Sequence, residues 1–129
     1  LNEIQNKQGF NCGSRLRAFV FAYRGLKALF RSECHARFHA LAALVAIALG
    51  FSLRISADEW CIVILAIACV VASEAFNTAV ESLTDRVSTE RHPLSGKAKD
   101  VAAGGVLIAC LGAAAVGAII FGPKMWHLF

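Results

Sequence analysis

Three stretches of the chain carry no Asp, Glu, Lys or Arg: residues 38 to 53, 60 to 73 and 101 to 123. They are 16, 14 and 23 residues long, and only the last reaches the roughly 20 apolar residues that an unaided membrane span needs. The first two must borrow flanking turns whose charged groups lie near an interface. The pattern predicts three membrane helices, over 35–54, 57–87 and 96–122. Ahead of them, 14–32 reads as an amphipathic helix. Leu16, Phe19, Tyr23, Leu26 and Phe30 recur at spacings of 3, 4, 3 and 4, while Arg17, Arg24 and Arg31 recur every seven. Such a helix lies on a membrane surface. Phe21 sits on its arginine side, which is either tolerated exposure or a contact with something docked there. Residues 1–13 are expected to be a flexible N-terminal segment without a charged-then-apolar cleavable leader.

Local signals refine the edges. Ser56 with Glu59 three positions later has the form of a capping box. No Gly or Pro follows until Pro93, so this helix continues to Val87, about 45 Å at 1.5 Å per residue, and projects beyond a hydrocarbon layer of about 30 Å. Ser95, after the breaker pair His92 and Pro93, is the expected cap of the last helix. Within that helix Gly105, Ala109, Ala113 and Gly117 form the small-residue stripe that lets membrane helices approach closely, inside one chain or between chains.

Composition agrees with a membrane domain. Of 129 residues, 57% are hydrophobic and 17% charged, with mean hydropathy +0.60, against roughly 45 to 50% and 25% in soluble domains. One all-α membrane domain, 1–129, accounts for the length, and too few residues remain for a second, soluble core. Cys12, Cys34, Cys61, Cys69 and Cys110 are odd in number and form no C-x-x-C pair, which fits small apolar side chains better than disulfides or a zinc ribbon. The formal charge of +4 does not point to nucleic acid, because the basic residues cluster in two places, Arg15 to Arg37 and Arg86 to Lys99. A membrane surface explains that distribution. By the positive-inside rule the N-terminus and the second connection are cytoplasmic and the C-terminus is outside, with Trp60 and Trp126 both at the outer interface.

The chemistry is expected on the inner half of the second membrane helix. Glu74, Asn77, Glu81 and Asp85 are spaced 3, 4 and 4 apart and project as one polar line from an apolar segment. Measured from Glu59, Glu74 lies about 22 Å along the helix and Glu81 about 33 Å, so the line crosses from lipid to water. An intramembrane carboxylate costs a few kcal/mol and defaults to a functional hypothesis. The bland alternative is that these groups pair with Arg and Lys of neighbouring helices and only fix the bundle. A proton or cation pathway would favour acidic groups throughout the membrane, and the other two spans have none centrally. Glu33, Lys99 and Asp100 gather at the same cytoplasmic face, where carboxylates, a lysine and an amide suit a magnesium nucleotide. There is no Walker A loop: Gly96 and Lys97 precede Ala98, and Arg91 stands where its first glycine belongs. A G-x-G-x-x-G kinase loop is also absent. Glu33, His35 and His39 are weak zinc candidates without a partnered third ligand, and interface histidines are the plainer reading.

The segments EAFNTAVESLTDRVSTERHPLSGKAKDVAAGGVL, Glu74 to Leu107, and AYRGLKALFRSECHARFHA, Ala22 to Ala40, resemble the small prokaryotic diacylglycerol kinase and undecaprenol kinase family. The pattern E-x-x-N-x-x-x-E-x-x-x-D followed by K-A-K-D carries the likeness, which extends from about residue 14 to the end. The resemblance implies a homotrimer in the bacterial cytoplasmic (inner) membrane, with three membrane helices behind a surface helix. It implies transfer of the γ-phosphate of MgATP to a lipid hydroxyl. By it, Glu74 is the catalytic base, Glu33 and Glu81 bind the Mg²⁺ carried by ATP, and Asn77 lines the site. Lys99 and Asp100 match a nucleotide-binding pair, and Glu90, Arg91 and His92 border the nucleotide. Phe21 falls where the diacylglycerol kinase branch has a nucleotide-contacting tyrosine, and Ser14 where it has an arginine, a role open to Arg15 or Arg17. FAYRGLKALFRSECHARFH and RHPLSGKAKD are closer to the undecaprenol kinase branch, so undecaprenol is favoured over diacylglycerol. The competing class is a small membrane transporter or assembly subunit without catalysis. Four-helix multidrug exporters are comparably short, but three spans put the termini on opposite sides.

Overall fold

The computed structural model describes residues 12–87 and 92–126. Its four helices are α1 (Cys12–Ser32), α2 (Cys34–Ser52), α3 (Ala57–Val87) and α4 (Pro93–Trp126), and no strand occurs among the described residues. α2, α3 and α4 are each long and apolar enough to cross a membrane. The all-α expectation with three spanning candidates therefore holds.

Each junction has a local cause. Glu33 alone is extended, with φ −99° and ψ 119°, and divides α1 from α2. Its N–H donates to the Leu29 carbonyl at 3.0 Å and its carbonyl accepts from Arg37 N–H at 3.3 Å, so one residue ends one helix and starts the next. α2 closes in a Schellman motif. Ile55 N–H reaches the Gly50 carbonyl at 3.1 Å and Arg54 N–H the Phe51 carbonyl at 3.3 Å, with Arg54 in the left-handed region at φ 50°. The capping box forms: Ser56 N–H donates to Glu59 Oε2 at 2.7 Å and Glu59 N–H to Ser56 Oγ at 3.3 Å.

α3 and α4 are antiparallel and in register along most of their length, tied at one end by Glu59 with Lys124 (3.2 Å) and at the other by Asp85 with Lys99. α2 lies against α3, also antiparallel, and α1 packs through its last turns, where Leu29 is buried. A packed apolar cluster lies at the Glu59–Lys124 end, where Ile55, Val63, Ile120 and Phe121 are buried with Leu49 and Trp60 against them. The apolar residues of α1, Leu16, Phe19, Tyr23 and Leu26, are exposed. That is the surface an interfacial helix offers to lipid.

Two sequence expectations, the start and the end of the last helix, are corrected here. Ser95 lies inside α4, which starts at Pro93. A proline is favoured in the first helical position because its missing N–H would have no helical partner there. The cap is His92, whose Nδ1 accepts from Leu94 N–H at 3.3 Å and whose carbonyl accepts from Ser95 and Gly96. α4 also runs through Pro123 to Trp126, because a proline this near the C-terminus costs only one bond of the ladder. Trp60 and Trp126 stand at the same end of the bundle: the Trp60 ring packs on Gly50 and on Phe51, centroids 4.8 Å apart, and Trp126 is 83% exposed. Along the small-residue stripe, an added Cβ at Gly105 would meet nothing within 4 Å inside this chain, and Ala113 and Gly117 line a cleft.

Gly50 is where backbone and ring approach most closely. A Cβ there would stand 2.7 Å from Trp60 Cη2 and 2.8 Å from Cζ2, with Ile55 Cδ1 at 3.2 Å. Gly50→Ala is expected to destabilise the protein by about 1–3 kcal/mol, the range for overpacking, read as a lower melting midpoint in detergent. An unchanged midpoint would mean that the Trp60 ring moves freely.

Candidate functional site

Glu74 sits midway along α3 and is 5% exposed, the one charged side chain buried among the described residues. Its Oε1 lies 3.0 Å from His39 Nε2 of α2. Across the α3–α4 register, Cys110 brings its Sγ to 3.6 Å from His39 Nε2 and 3.9 Å from Nδ1. Three helices thus converge on one carboxylate. An apolar segment tolerates such a group only when it is paired and hydrogen-bonded.

One turn further along α3, Asn77 Nδ2 donates to Glu81 Oε1 at 3.0 Å, and Asn77 Oδ1 is buried without a hydrogen-bond partner among the described residues. One more turn brings Asp85, which holds Lys99 of α4. The acidic line is therefore a graded series: a buried carboxylate on a histidine, a half-buried one on an amide, an exposed one on a lysine. Antiparallel packing also sets the level of Glu33. From the His39–Glu74 contact, six residues back along α2 is about 9 Å and seven residues forward along α3 is about 10 Å. Glu33 and Glu81 consequently stand at the same height in the bundle.

Two depressions flank the series. An apolar cleft of about 330 Å³ runs between α2, α3 and α4 from Phe121 past Val63 and Ala113 to His39 and Cys110. A more open groove of about 680 Å³ lies between α3 and α4 and is lined by Asn77, Val80, Lys97 and Val101 among others.

The family profile described as prokaryotic diacylglycerol kinase matches residues 20–121. The chain belongs to that family.

Relatives agree over most of the length. The undecaprenol kinase of Bacillus subtilis is 38% identical over 109 residues, covering 84% of this chain and 89% of that protein. The diacylglycerol kinase of Haemophilus influenzae is 38% identical over 102 residues, 78% of this chain and 86% of the relative. That of Escherichia coli K12 is 31% identical over 114 residues, 88% and 90% respectively. Every candidate site residue from Phe21 to Asp100 lies inside the segment matched to the family.

The structure brings Glu74, Asn77 and Glu81 into one line and sets Asp85 with Lys99 at its exposed end. Asp100 follows Lys99 on α4 and is exposed. Phe21 is 64% exposed on α1, more than two turns before the buried Leu29, and is not packed into this line. His92 caps α4. Glu90, Arg91 and the Ser14 side chain lie outside the described residues. The meeting of His39 and Cys110 beside Glu74 is not visible in the sequence, where His39 reads as a weak zinc candidate or an interface histidine and Cys110 as a small apolar side chain. A usable signal existed, because His39 is the first ionisable group inside the otherwise uncharged 38 to 53 run.

Side chains of Lys99 and Asp85 are 36% and 68% exposed, so water screens their attraction. A double-mutant cycle with Asp85→Asn and Lys99→Met is expected to give a coupling below about 1 kcal/mol in detergent denaturation. A coupling of several kcal/mol would mark a pair that the fold depends on.

Proposed function

We propose that the chain is a membrane lipid kinase that transfers the γ-phosphate of ATP to the hydroxyl of a lipid alcohol at the cytoplasmic boundary of the bacterial inner membrane. The observation that carries the reading is the buried Glu74 with a half-buried amide and carboxylate one and two turns towards water. A lipid alcohol reaches only the membrane boundary and ATP only the water, so a base just inside and oxygen ligands just outside bring the two into line.

Glu74 accepts the hydroxyl proton as the alcohol oxygen attacks the γ-phosphorus and the bond to the β-phosphate oxygen breaks, releasing ADP. The apolar cleft that ends at His39 and Cys110 suits the chain next to that hydroxyl. Lys99 is held by Asp85 in a solvent-exposed pair, so its ammonium can pass to a phosphate oxygen at little cost. Asp100 is assigned with Lys99 to the nucleotide, Glu90, Arg91 and His92 to its border, and Phe21 to the α1 side.

The residues fit Mg²⁺. Glu33 and Glu81 are hard oxygen donors at one height in the bundle, and the unpartnered Asn77 Oδ1 adds an oxygen beside Glu81. Among the described residues no three His, Cys, Asp or Glu groups cluster as a metal cage, and a Mg²⁺ shared with substrate phosphates needs only one or two carboxylates. Bound there with ATP, the ion would offset the phosphate charge.

The relatives' names divide between the two acceptors at equal identity, 38%. Undecaprenol is favoured because the stretches FAYRGLKALFRSECHARFH and RHPLSGKAKD resemble the undecaprenol kinase branch more than the diacylglycerol kinase branch. The basic clusters support a cytoplasmic N-terminus and an external C-terminus, and family membership supports a homotrimer.

Glu74→Gln should fold and bind MgATP with near-normal affinity yet lose turnover by about 100-fold or more, the contribution of a positioned base. Transfer of labelled γ-phosphate from MgATP to undecaprenol and to diacylglycerol in mixed micelles tests both base and acceptor. Normal turnover in the variant would remove Glu74 as the base. No label in either lipid, from folded protein, would favour a non-catalytic membrane role.

A further inference from the structure

Glu74 has one side-chain partner among the described residues, and it comes from another helix. His39 Nε2 stands 3.0 Å from Glu74 Oε1, and among the described residues no lysine or arginine forms an ion pair with that carboxylate. The imidazole is itself confined. Cys110 Sγ lies 3.6 Å from one ring nitrogen and 3.9 Å from the other, and the Phe38 ring stands edge-on with its centroid 5.7 Å away. His39 also terminates the apolar cleft at its Glu74 end.

A carboxylate on a flexible two-carbon stem is an effective base only if it is held in one orientation, since a misplacement of about 1 Å can reduce a rate by about 100-fold. A base oriented by the hydrogen bond of a third group is a recurrent arrangement. Here the backbone of α3 does not supply that hold, and Asn77, the next polar residue along the line, is turned to Glu81.

We propose that His39 is the positioning residue of the base: its Nε2–H fixes Glu74 Oε1 and leaves Oε2 to take the proton of the acceptor hydroxyl. Cys110 fixes the imidazole in turn by occupying the α4 side of the ring. The proposal rests on Glu74 being the base, and it assigns to α2 a part in the reaction separate from the metal ligand at Glu33. No proton passes through His39 in this scheme, so the chemistry of the transfer is unchanged.

Two amides of different reach test it. Gln has its amide nitrogen where histidine has Nε2, and Asn where histidine has Nδ1, so only His39→Gln can span the gap to Glu74. Full-length His39→Gln, His39→Asn, Glu74→Gln and the double variant Glu74→Gln/His39→Asn would be assayed in mixed micelles with MgATP and each lipid alcohol, with melting midpoints measured alongside. His39→Gln is expected to keep kcat within about 3-fold of the parent and His39→Asn to lose about 10-fold or more. The KM for MgATP should stay within about 2-fold in both, because none of the residues assigned to the nucleotide is His39's partner. The double variant should be no slower than Glu74→Gln alone.

Equal kcat in the Gln and Asn variants, at either the parent or a reduced level, would overturn the proposal, as would a faster Asn variant. A loss expressed in KM, or one that follows the melting midpoint, would make His39 a structural residue only. The reading of Glu74 is judged separately. Glu74→Gln inactive beside a fully active His39→Asn removes His39 alone, whereas an active Glu74→Gln removes the base and His39 with it.

Discussion

A carboxylate taken out of water must find a partner, and in this protein the arrangement of three helices follows from that demand at Glu74. The helices bury few side chains between them, and most of their large apolar residues are exposed, so interhelical packing alone defines the bundle weakly at the Glu74 level. His39 from α2 and Cys110 from α4 meet beside the one buried charge and fix which faces of α2 and α4 look inward. Antiparallel neighbours are also in register at the two ends of α3 and α4, with Lys99 opposite Asp85 and Lys124 opposite Glu59.

Stability and chemistry are divided between the two ends. At the Glu59–Lys124 end Trp60 fills the space over Gly50, and Ile55, Val63, Ile120 and Phe121 form a dry cluster. Towards the Asp85–Lys99 end an open groove lies between α3 and α4, and the polar groups become more exposed turn by turn. A close-packed anchor beneath an open, hydrated mouth lets the mouth admit substrates without loosening the fold. Exposed apolar surface is no liability in such a chain, since lipid covers it at no hydrophobic cost.

Much of this was legible because it rests on local rules. Absence of charge marked the spans, the three-residue spacing of Ser56 and Glu59 marked a helix start, and the 3, 4, 4 spacing placed Glu74, Asn77, Glu81 and Asp85 on one face. What escaped depended on contacts between distant residues or on competition between two local rules. His39 meets Glu74 across 35 positions of sequence, and no periodicity within α2 announces that contact. The start of α4 went to Pro93 instead of the residue after Ser95, because a proline in the first turn loses nothing there while His92 supplies the missing acceptor. Gly105 belongs to a stripe that suits close helix approach inside one chain or between chains, and within this chain the register of α3 against α4 turns that position to open space.

α3 runs for 31 residues without a proline or glycine. An unbroken helix behaves as a rod of fixed pitch, so the separation between Glu74 and Glu81, about 10 Å of rise, cannot be lengthened or shortened to suit a substrate. Under the proposed chemistry the rod acts as a depth gauge. A lipid alcohol qualifies by how far below the water line it carries its hydroxyl, and the length or branching of its tail matters only as it alters that depth.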